Sequence, residues 1–357
     1  MSRKTIKINF TGLSIRNEFN PNDNSILDIL KKHYDVQVCE NPDYLFCGVL
    51  YKGYFNQGLY DKYVLDDSKI RILINGENFV PDYNLVDYSV CQYPIDYLDR
   101  NCYFPCGVEA FTNRRTFFRE LQDKDRNYPD EIMNTKEYFA SFIASHDSEY
   151  NIRGDFFKAL DKRKRVESVG SYLNNMPNGE TVDWLDGSKL RFQKKCKFSL
   201  CFESTKHEGF ITEKIVESFY ADTVPIYYGS SNIKDIFNPK AFIDISDYPD
   251  FDSAIDRILE IESNDELYLE MLRQPIFNTP TYPQDKYGEL ERFLCHIIDQ
   301  PLDKACRRSK CVAGEAHEAF MRRAVESELG IKVWRPEGKV VKEYLRNIPK
   351  RIFKKKK

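Results

Sequence analysis

No stretch of this chain approaches the roughly 20 consecutive apolar residues that cross a bilayer. The opening residues MSRKTIKINF run straight into an alternating Ile6, Ile8, Phe10 pattern with no apolar leader core. A spanning helix is therefore excluded, and the expected location is the cytoplasm. Histidine is scarce, with five in 357 residues, and no C-x-x-C pair occurs. The spacings Cys102-Tyr-Phe-Pro-Cys106 and Cys306/Cys311 evoke zinc only loosely, because structural zinc sites show tighter pairs. Many of the ten cysteines, among them Cys39, Cys47, Cys91 and Cys201, lie in apolar strand-like runs. Reduced thiols in such places act as small hydrophobes, and that is the expectation for them.

The length exceeds the usual size of a single core, so two domains are expected. Hydrophobic residues make up 41% and aromatics 14%, enough to fill two cores. Charge is unevenly spread: from Lys339 to Lys357 nine Lys/Arg face the single Glu343, so this +8 tail leaves −11 on the rest of a chain whose net charge is −3. An acidic body is poorly suited to nucleic acid. In the tail, Val341, Tyr344, Leu345, Ile348 and Ile352 share one side of a helix that Pro349 kinks or ends. Basic amphipathic segments lie in the plane of anionic membranes, so the tail is expected to make peripheral contact with the inner face of the cytoplasmic membrane.

Apolar runs at Thr5–Phe10, Tyr44–Gly48, Lys69–Asn75 and Tyr88–Cys91 read as strands, with a helix from Ser25, its expected cap, to Lys32. The charged, Pro-interrupted stretch 119–136 reads as a connection. A second series follows: strand at Phe139–Ser145, helix at 151–160, strand at 166–170. Helices are expected at 230–237, 253–261, 265–273 and 289–298, and a strand at 241–245. Residues 306–328 read as an exposed helix or loose connector. Strands alternating with helices imply doubly wound parallel sheets.

The chain is organised around Lys197–Gly229, KFSLCFESTKHEGFITEKIVESFYADTVPIYYG. Phe198, Leu200 and Phe202 alternate as a strand, 203–211 is a polar loop, and Thr212 is placed to cap a helix with Ile215, Val216, Phe219 and Tyr220 on one face. Thr223–Tyr228 returns as the next strand. Ligands of such βαβ units bind beyond the carboxyl ends of the strands, here residues 203–214. The third strand likewise ends in Asn75-Gly-Glu-Asn78, placing Glu77 at a carboxyl end on a Gly-relieved turn. Arg153 stands in the first turn of its helix, where a cation is disfavoured by the macrodipole. It is either an exposed charge or a group held for an anion.

CFES, ITEK, TVPIYYGSSNI and FNPKAFIDISDY, in that order, closely resemble the donor-binding motif of family 10 α-1,3/1,4-fucosyltransferases, bacterial branch. ILINGENFVPDYNLVDYSV is similar to that family's N-terminal block. The resemblance covers roughly residues 69–300, with gaps. It implies an α/β, GT-B-type fold: two Rossmann-like domains facing a central cleft, an acceptor-side domain at 1–135, a donor domain at 136–300, and a helical connector with basic amphipathic tail at 301–357. The implied activity is inverting transfer of L-fucose from GDP-fucose to a GlcNAc or Glc hydroxyl of a cell-surface glycan such as lipopolysaccharide. Its partners would be GDP-fucose and an oligosaccharide or glycolipid acceptor.

The resemblance makes Glu77 the general base and sets Glu213 on the fucose or ribose side. Glu203, Ser204, Phe210, Lys214, Arg153 and Asn174 become donor contacts. Chemistry agrees with the two main roles: a carboxylate can take the acceptor's proton, and Lys214 at a helix start can neutralise a leaving diphosphate. Two departures stand out. Ser204 replaces the usual Asn, and Ser171, Tyr172 and Leu173 occupy a turn where relatives carry a diphosphate-contacting Arg. Arg153, Lys189 or Arg191 takes over that contact, or diphosphate binding is weaker. No Asp-x-Asp sits on a loop placed to hold a metal–diphosphate, so no cofactor is expected to be required, with a divalent metal at most stimulatory. A GT-B transferase using another nucleotide sugar, or a non-catalytic glycan- or nucleotide-binding relative, remain the alternatives.

Overall fold

The computed structural model describes residues 3–13, 19–50, 68–106, 117–183, 186–309 and 311–328. The basic tail, with Val341, Tyr344, Leu345, Ile348 and Ile352, lies outside the described residues. Two parallel sheets carry the architecture. The first holds β1 (Thr5–Leu13), β2 (Asp35–Val38), β3 (Tyr44–Leu50), β4 (Ile70–Asn75), β5 (Tyr88–Cys91) and β6 (Asn101–Tyr103), in the order β2-β1-β3-β4-β5-β6. The second holds β7 (Tyr138–Phe142), β8 (Glu167–Ser168), β9 (Cys196–Phe202), β10 (Val224–Tyr228) and β11 (Ile243–Asp244), in the order β11-β10-β9-β7-β8. Every residue of β4 and β5 is buried, as expected of parallel strands covered on both faces. This is the doubly wound, GT-B-type arrangement expected.

Two strands escape the sequence pattern for physical reasons. β2 is an edge strand with alternating exposed and half-buried residues and no apolar run. β6 is three residues long, too short for a period to register. The helix Ser25–His33 is capped by Asn24 rather than Ser25: the Asn24 Oδ1 accepts the Leu27 N–H at 3.0 Å. The helix expected from Glu289 starts seven residues earlier, at Tyr282, with a Pro in its first turn. It packs on the first sheet's helix, with Lys32 Nζ 2.5 Å and His33 Nε2 2.7 Å from Glu291, and Tyr34 Oη donating to Asp299 at 2.8 Å. The range 136–300 thus contains one long helix built into the core of the other lobe, which a linear reading cannot anticipate.

The second core is dominated by phenylalanine. Phe142 stacks on Phe157 with ring centroids 4.7 Å apart, and Phe156 meets Phe202 at 5.0 Å. These contacts hold the helix Ile152–Arg163 against β7 and β9. The lobes themselves meet at a seam. Phe210 stacks on Tyr93 at 6.1 Å, and the Cys106 N–H donates to the Ile211 carbonyl at 2.8 Å. Gly209 is required there: its φ is +81°, and a Cβ would lie 2.4 Å from Pro94 Cδ.

All ten cysteines are free thiols. Burial pushes Cys47 and Cys102 up to about 12, which keeps them protonated and unreactive. Among the described residues, no group of three His, Cys, Asp or Glu could hold a metal ion, and no helix is long and apolar enough to cross a membrane.

The central βαβ unit runs from β9 through the helix Glu213–Tyr220 to β10. Thr212 precedes that helix in extended conformation, but its hydroxyl makes no cap bond. It donates instead to Glu203 Oε2 at 2.7 Å, while the Thr212 N–H donates to Glu203 Oε1 at 2.8 Å. Glu203 is 1% exposed. A buried carboxylate outcompetes the helix end for the hydroxyl because leaving it unsatisfied costs more. Thr212→Val is therefore expected to destabilise the protein by about 1.5–3 kcal/mol, the range for a hydrogen bond to a charged group, and Thr212→Ser to recover most of it, as measured by urea unfolding.

Candidate active site

The loop after β4 and the loop after β9 both leave the carboxyl ends of parallel strands, where open α/β sheets bind ligands. The first carries Glu77. Asn75, 3% exposed, shapes its turn by accepting the Glu77 N–H at 2.9 Å and donating to the Glu77 carbonyl at 3.1 Å. The Glu77 side chain is solvent-accessible, yet it stands among protein on several sides. Loss of water pushes its carboxyl above the ordinary range, and the like charge of Glu213 adds to that; Lys214 and His146 pull the other way. A residue of the first lobe thereby lies within electrostatic range of Glu213 and Lys214 of the second. Tyr93 reinforces the approach: it stacks on Phe210 while its hydroxyl donates to Asn78, next to Glu77.

On the facing side, Lys214 Nζ donates to Thr212 Oγ1 at 2.8 Å and to Glu213 Oε1 at 3.0 Å, and lies 3.5 Å from Glu203 Oε2. Burial alone would lower its pKa, but the two carboxylates more than offset that and raise it. Burial pushes Glu213 up, but Lys214 and Lys189 dominate and hold it down to about 2. An ionised Glu213 and a protonated Lys214 therefore persist together at the start of the Glu213–Tyr220 helix. Glu213 keeps a third of its side chain exposed and Lys214 about a quarter, so both remain reachable.

The remaining expected contacts are distributed differently. Glu203 is buried with both oxygens bound to Thr212, so it sets the helix start. Phe210 is 2% exposed and committed to Tyr93. Arg153 is 4% exposed; its Nη1 donates to the His146 carbonyl at 2.8 Å and its Nη2 to the Phe202 carbonyl at 2.7 Å. It is not an exposed charge: it staples the loop after β7 to the end of β9, within electrostatic range of Glu203 and Glu213. Asn174 spends its amide within its own loop, donating to the Gly170 and Glu180 carbonyls at 3.0 and 2.9 Å. Ser204 is half-buried, and its carbonyl accepts the Glu149 N–H at 2.8 Å.

The turn that lacks an Arg is occupied by other chemistry. The Tyr172 hydroxyl donates to Asp147, which also accepts the Ser148 and Gly154 N–H groups at 2.8 and 3.0 Å. Of the proposed substitutes, Lys189 is paired with the buried Glu217, and Arg191 donates to the Asp186 carbonyl at 3.0 Å from an exposed position. Lys189 nevertheless acts on Glu213 from where it stands.

The residue that sequence reasoning missed is His146. It is exposed on the loop after β7, with Nδ1 2.7 Å from the Asp147 carbonyl. That contact leaves Nε2 as the outward nitrogen. Its place just beyond the apolar run Phe139–Ala144, in a chain with five histidines, was the available signal. Tyr93 gave none: an aromatic after a buried strand reads as core.

Comparisons with known proteins show which family the chain resembles. The profile described as "Glycosyltransferase family 10 (fucosyltransferase) C-term" matches residues 133–308, and that described as "Alpha-(1,3)-fucosyltransferase FucT N-terminal domain" matches residues 8–108. The chain is 31% identical over 286 residues to Alpha-(1,3)-fucosyltransferase FucT of Helicobacter pylori, covering 72% of this chain and 57% of that protein. It is 28% identical over 137 residues to 4-galactosyl-N-acetylglucosaminide 3-alpha-L-fucosyltransferase 9 of Homo sapiens, covering 38% of this chain and 36% of that protein. The chain thus spans less than two thirds of these curated relatives. A crystal structure of an alpha1,3-fucosyltransferase superposes with a TM-score of 0.63 at 27% identity, covering 82% of this chain and 91% of that one. A structure titled as alpha1,3-fucosyltransferase with GDP gives 0.63 at 26% over the same shares. On the two profile matches and the shared architecture, the chain belongs to glycosyltransferase family 10, the fucosyltransferases.

Proposed function

We propose that the chain is an inverting fucosyltransferase that moves L-fucose from GDP-fucose to a GlcNAc or Glc hydroxyl of a cell-surface glycan, lipopolysaccharide among the candidates, in α-1,3 or α-1,4 linkage. The observation that carries this reading is the seam at which Tyr93, bound to Asn78 next to Glu77, stacks on Phe210 of the other lobe, which sets Glu77 within electrostatic range of Glu213 and Lys214. The acceptor hydroxyl gives its proton to Glu77, and its oxygen forms a bond to the anomeric carbon on the face opposite GDP. The anomeric carbon–phosphate oxygen bond breaks, and the pair leaves with GDP. Ionised Glu213 faces the positive charge that grows on the ring, as the second carboxylate does in glycoside hydrolysis. Lys214 meets the leaving diphosphate at a helix start that already presents N–H groups. These residues supply the charge neutralisation without a metal.

Tyr172 and Asp147, in place of a cation at the 171–173 turn, favour a second reading: a relative that binds the nucleotide without transferring sugar. Incubation with GDP-fucose and lactose, N-acetyllactosamine or its type 1 isomer, followed by mass spectrometry, separates the two. Fucosylated product supports the transferase; GDP binding with no product on any acceptor, and no product from other nucleotide sugars, supports the second reading. The tail's composition supports reversible contact with an anionic membrane from the cytoplasmic side.

Glu77→Gln is expected to lower kcat by ~10²–10⁴-fold, with GDP affinity by calorimetry unchanged. Near-native turnover would remove Glu77 as the base. Because Glu77 must be ionised to act and its carboxyl is raised, the acid limb of kcat/KM is expected above the range of a free carboxylate. Glu213→Gln removes the like charge, favours ionised Glu77, and shifts that limb to lower pH; an unmoved limb counts against the coupling. Full-length protein is expected to co-sediment with anionic liposomes more than a truncation after Lys339, and equal pelleting would dismiss the membrane contact.

A further inference from the structure

The helix Val312–Glu328 begins after the matched family region ends at residue 308, and the reaction as described does not use it. It is nonetheless fastened to the lobe that carries Glu77. Asp87, fully buried between β4 and β5, anchors the approach: its Oδ1 accepts the Arg307 and Arg308 N–H groups at 2.8 and 3.0 Å, and its Oδ2 accepts the Arg71 N–H at 2.8 Å. Arg71, 0% exposed in β4, then reaches the helix itself, with Nη2 2.6 Å from Glu318 Oε1. A buried guanidinium needs such a partner, so this contact fixes where the helix lies.

Two further contacts reach the turn that follows Glu77. His317 Nε2 lies 2.8 Å from Asp82 Oδ2. Asp82 in turn shapes the return to β5: its Oδ1 accepts the Asn84 N–H at 3.0 Å, and its carbonyl accepts the Leu85 and Val86 N–H groups at 2.9 and 3.0 Å. Met321 of the helix packs on the small cluster of Cys47, Val49, Leu73, Leu85 and Val86, the same cluster against which Phe79 and Tyr83 of the turn pack. The turn therefore rests on the sheet with the helix as its outer support. Elsewhere on the helix, Val312 and Phe320 are 85% and 67% exposed.

We propose that the helix Val312–Glu328 positions the Glu77 turn, with His317 as the positioning residue through Asp82. This rests on the transferase reading given above. Half-exposed polar contacts contribute little to global stability, whereas misplacing a reacting group by about 1 Å can cost ~10²-fold in rate. Losing His317 should therefore be felt in turnover and not in folding.

The test uses the full chain with His317→Ala, His317→Gln as the variant that keeps a side-chain donor for Asp82, and Val312→Ser as an exposed control. Steady-state kinetics with GDP-fucose, calorimetric GDP affinity and hydrogen exchange across residues 76–86 are measured. His317→Ala is expected to lower kcat ~10-fold or more and to speed exchange in 76–86, with GDP affinity unchanged. His317→Gln should recover most of the turnover, and Val312→Ser should match the native protein. A kcat within two-fold of native, a loss of GDP affinity as large as the loss of kcat, or unchanged exchange each overturns the proposal. If the native protein transfers no sugar, the transferase reading fails on its own. Exchange then decides the positioning: faster exchange in His317→Ala upholds it, and unchanged exchange overturns it.

Discussion

A single buried carboxylate sets the geometry on which the site depends. Glu203 leaves the end of β9 and turns inward, where both its oxygens are bound by Thr212. Desolvation opposes its ionisation, and Lys214 favours it. The side chain therefore acts as a template: it fixes the backbone where the loop becomes helix and draws the Lys214 ammonium to a defined place. Glu213 then occupies the first helical turn, where the macrodipole and two lysines favour its charge. Glu203 thus adds a second carboxylate that holds the Lys214 ammonium beside Glu213 at that helix end.

The opposite wall is built by a similar economy. Asn75 closes the Glu77 turn with its own amide, and Tyr93 links that turn to the second lobe by stacking on Phe210. A contact made by two aromatic rings and a glycine is compact and lies directly beside the charged groups. It brings one lobe's carboxylate within electrostatic range of the other's ion pair. The charge pattern suits a displacement in which a proton leaves toward one wall and an anion departs along the other.

The two lobes also share structure remote from the cleft. The long helix Tyr282–Asp299 returns to the first core, and the segment after it is tied down by Asp87, Arg307 and Arg308. The first lobe is therefore completed by residues that come last in the described chain. The turn that carries Glu77 is flanked by core and by the helix Val312–Glu328, which is fastened there through Arg71–Glu318, His317–Asp82 and the packing of Met321.

Much of this was legible in sequence because it is local. β4, β9 and β10 announce themselves by apolar runs. Glu77 stands just past a strand end and Glu213 and Lys214 at a helix start, positions that local pattern alone marks. Edge strands, the Asn24 cap and the early start of the 282–299 helix were not legible, since each turns on one side chain or on burial against distant residues. What tertiary structure alone decided was the assignment of partners: Arg153 to two carbonyls, Asn174 to its own loop, and Phe210 to Tyr93. A polar side chain takes whichever partner lies within about 3 Å, and that distance is set by segments far apart in the chain.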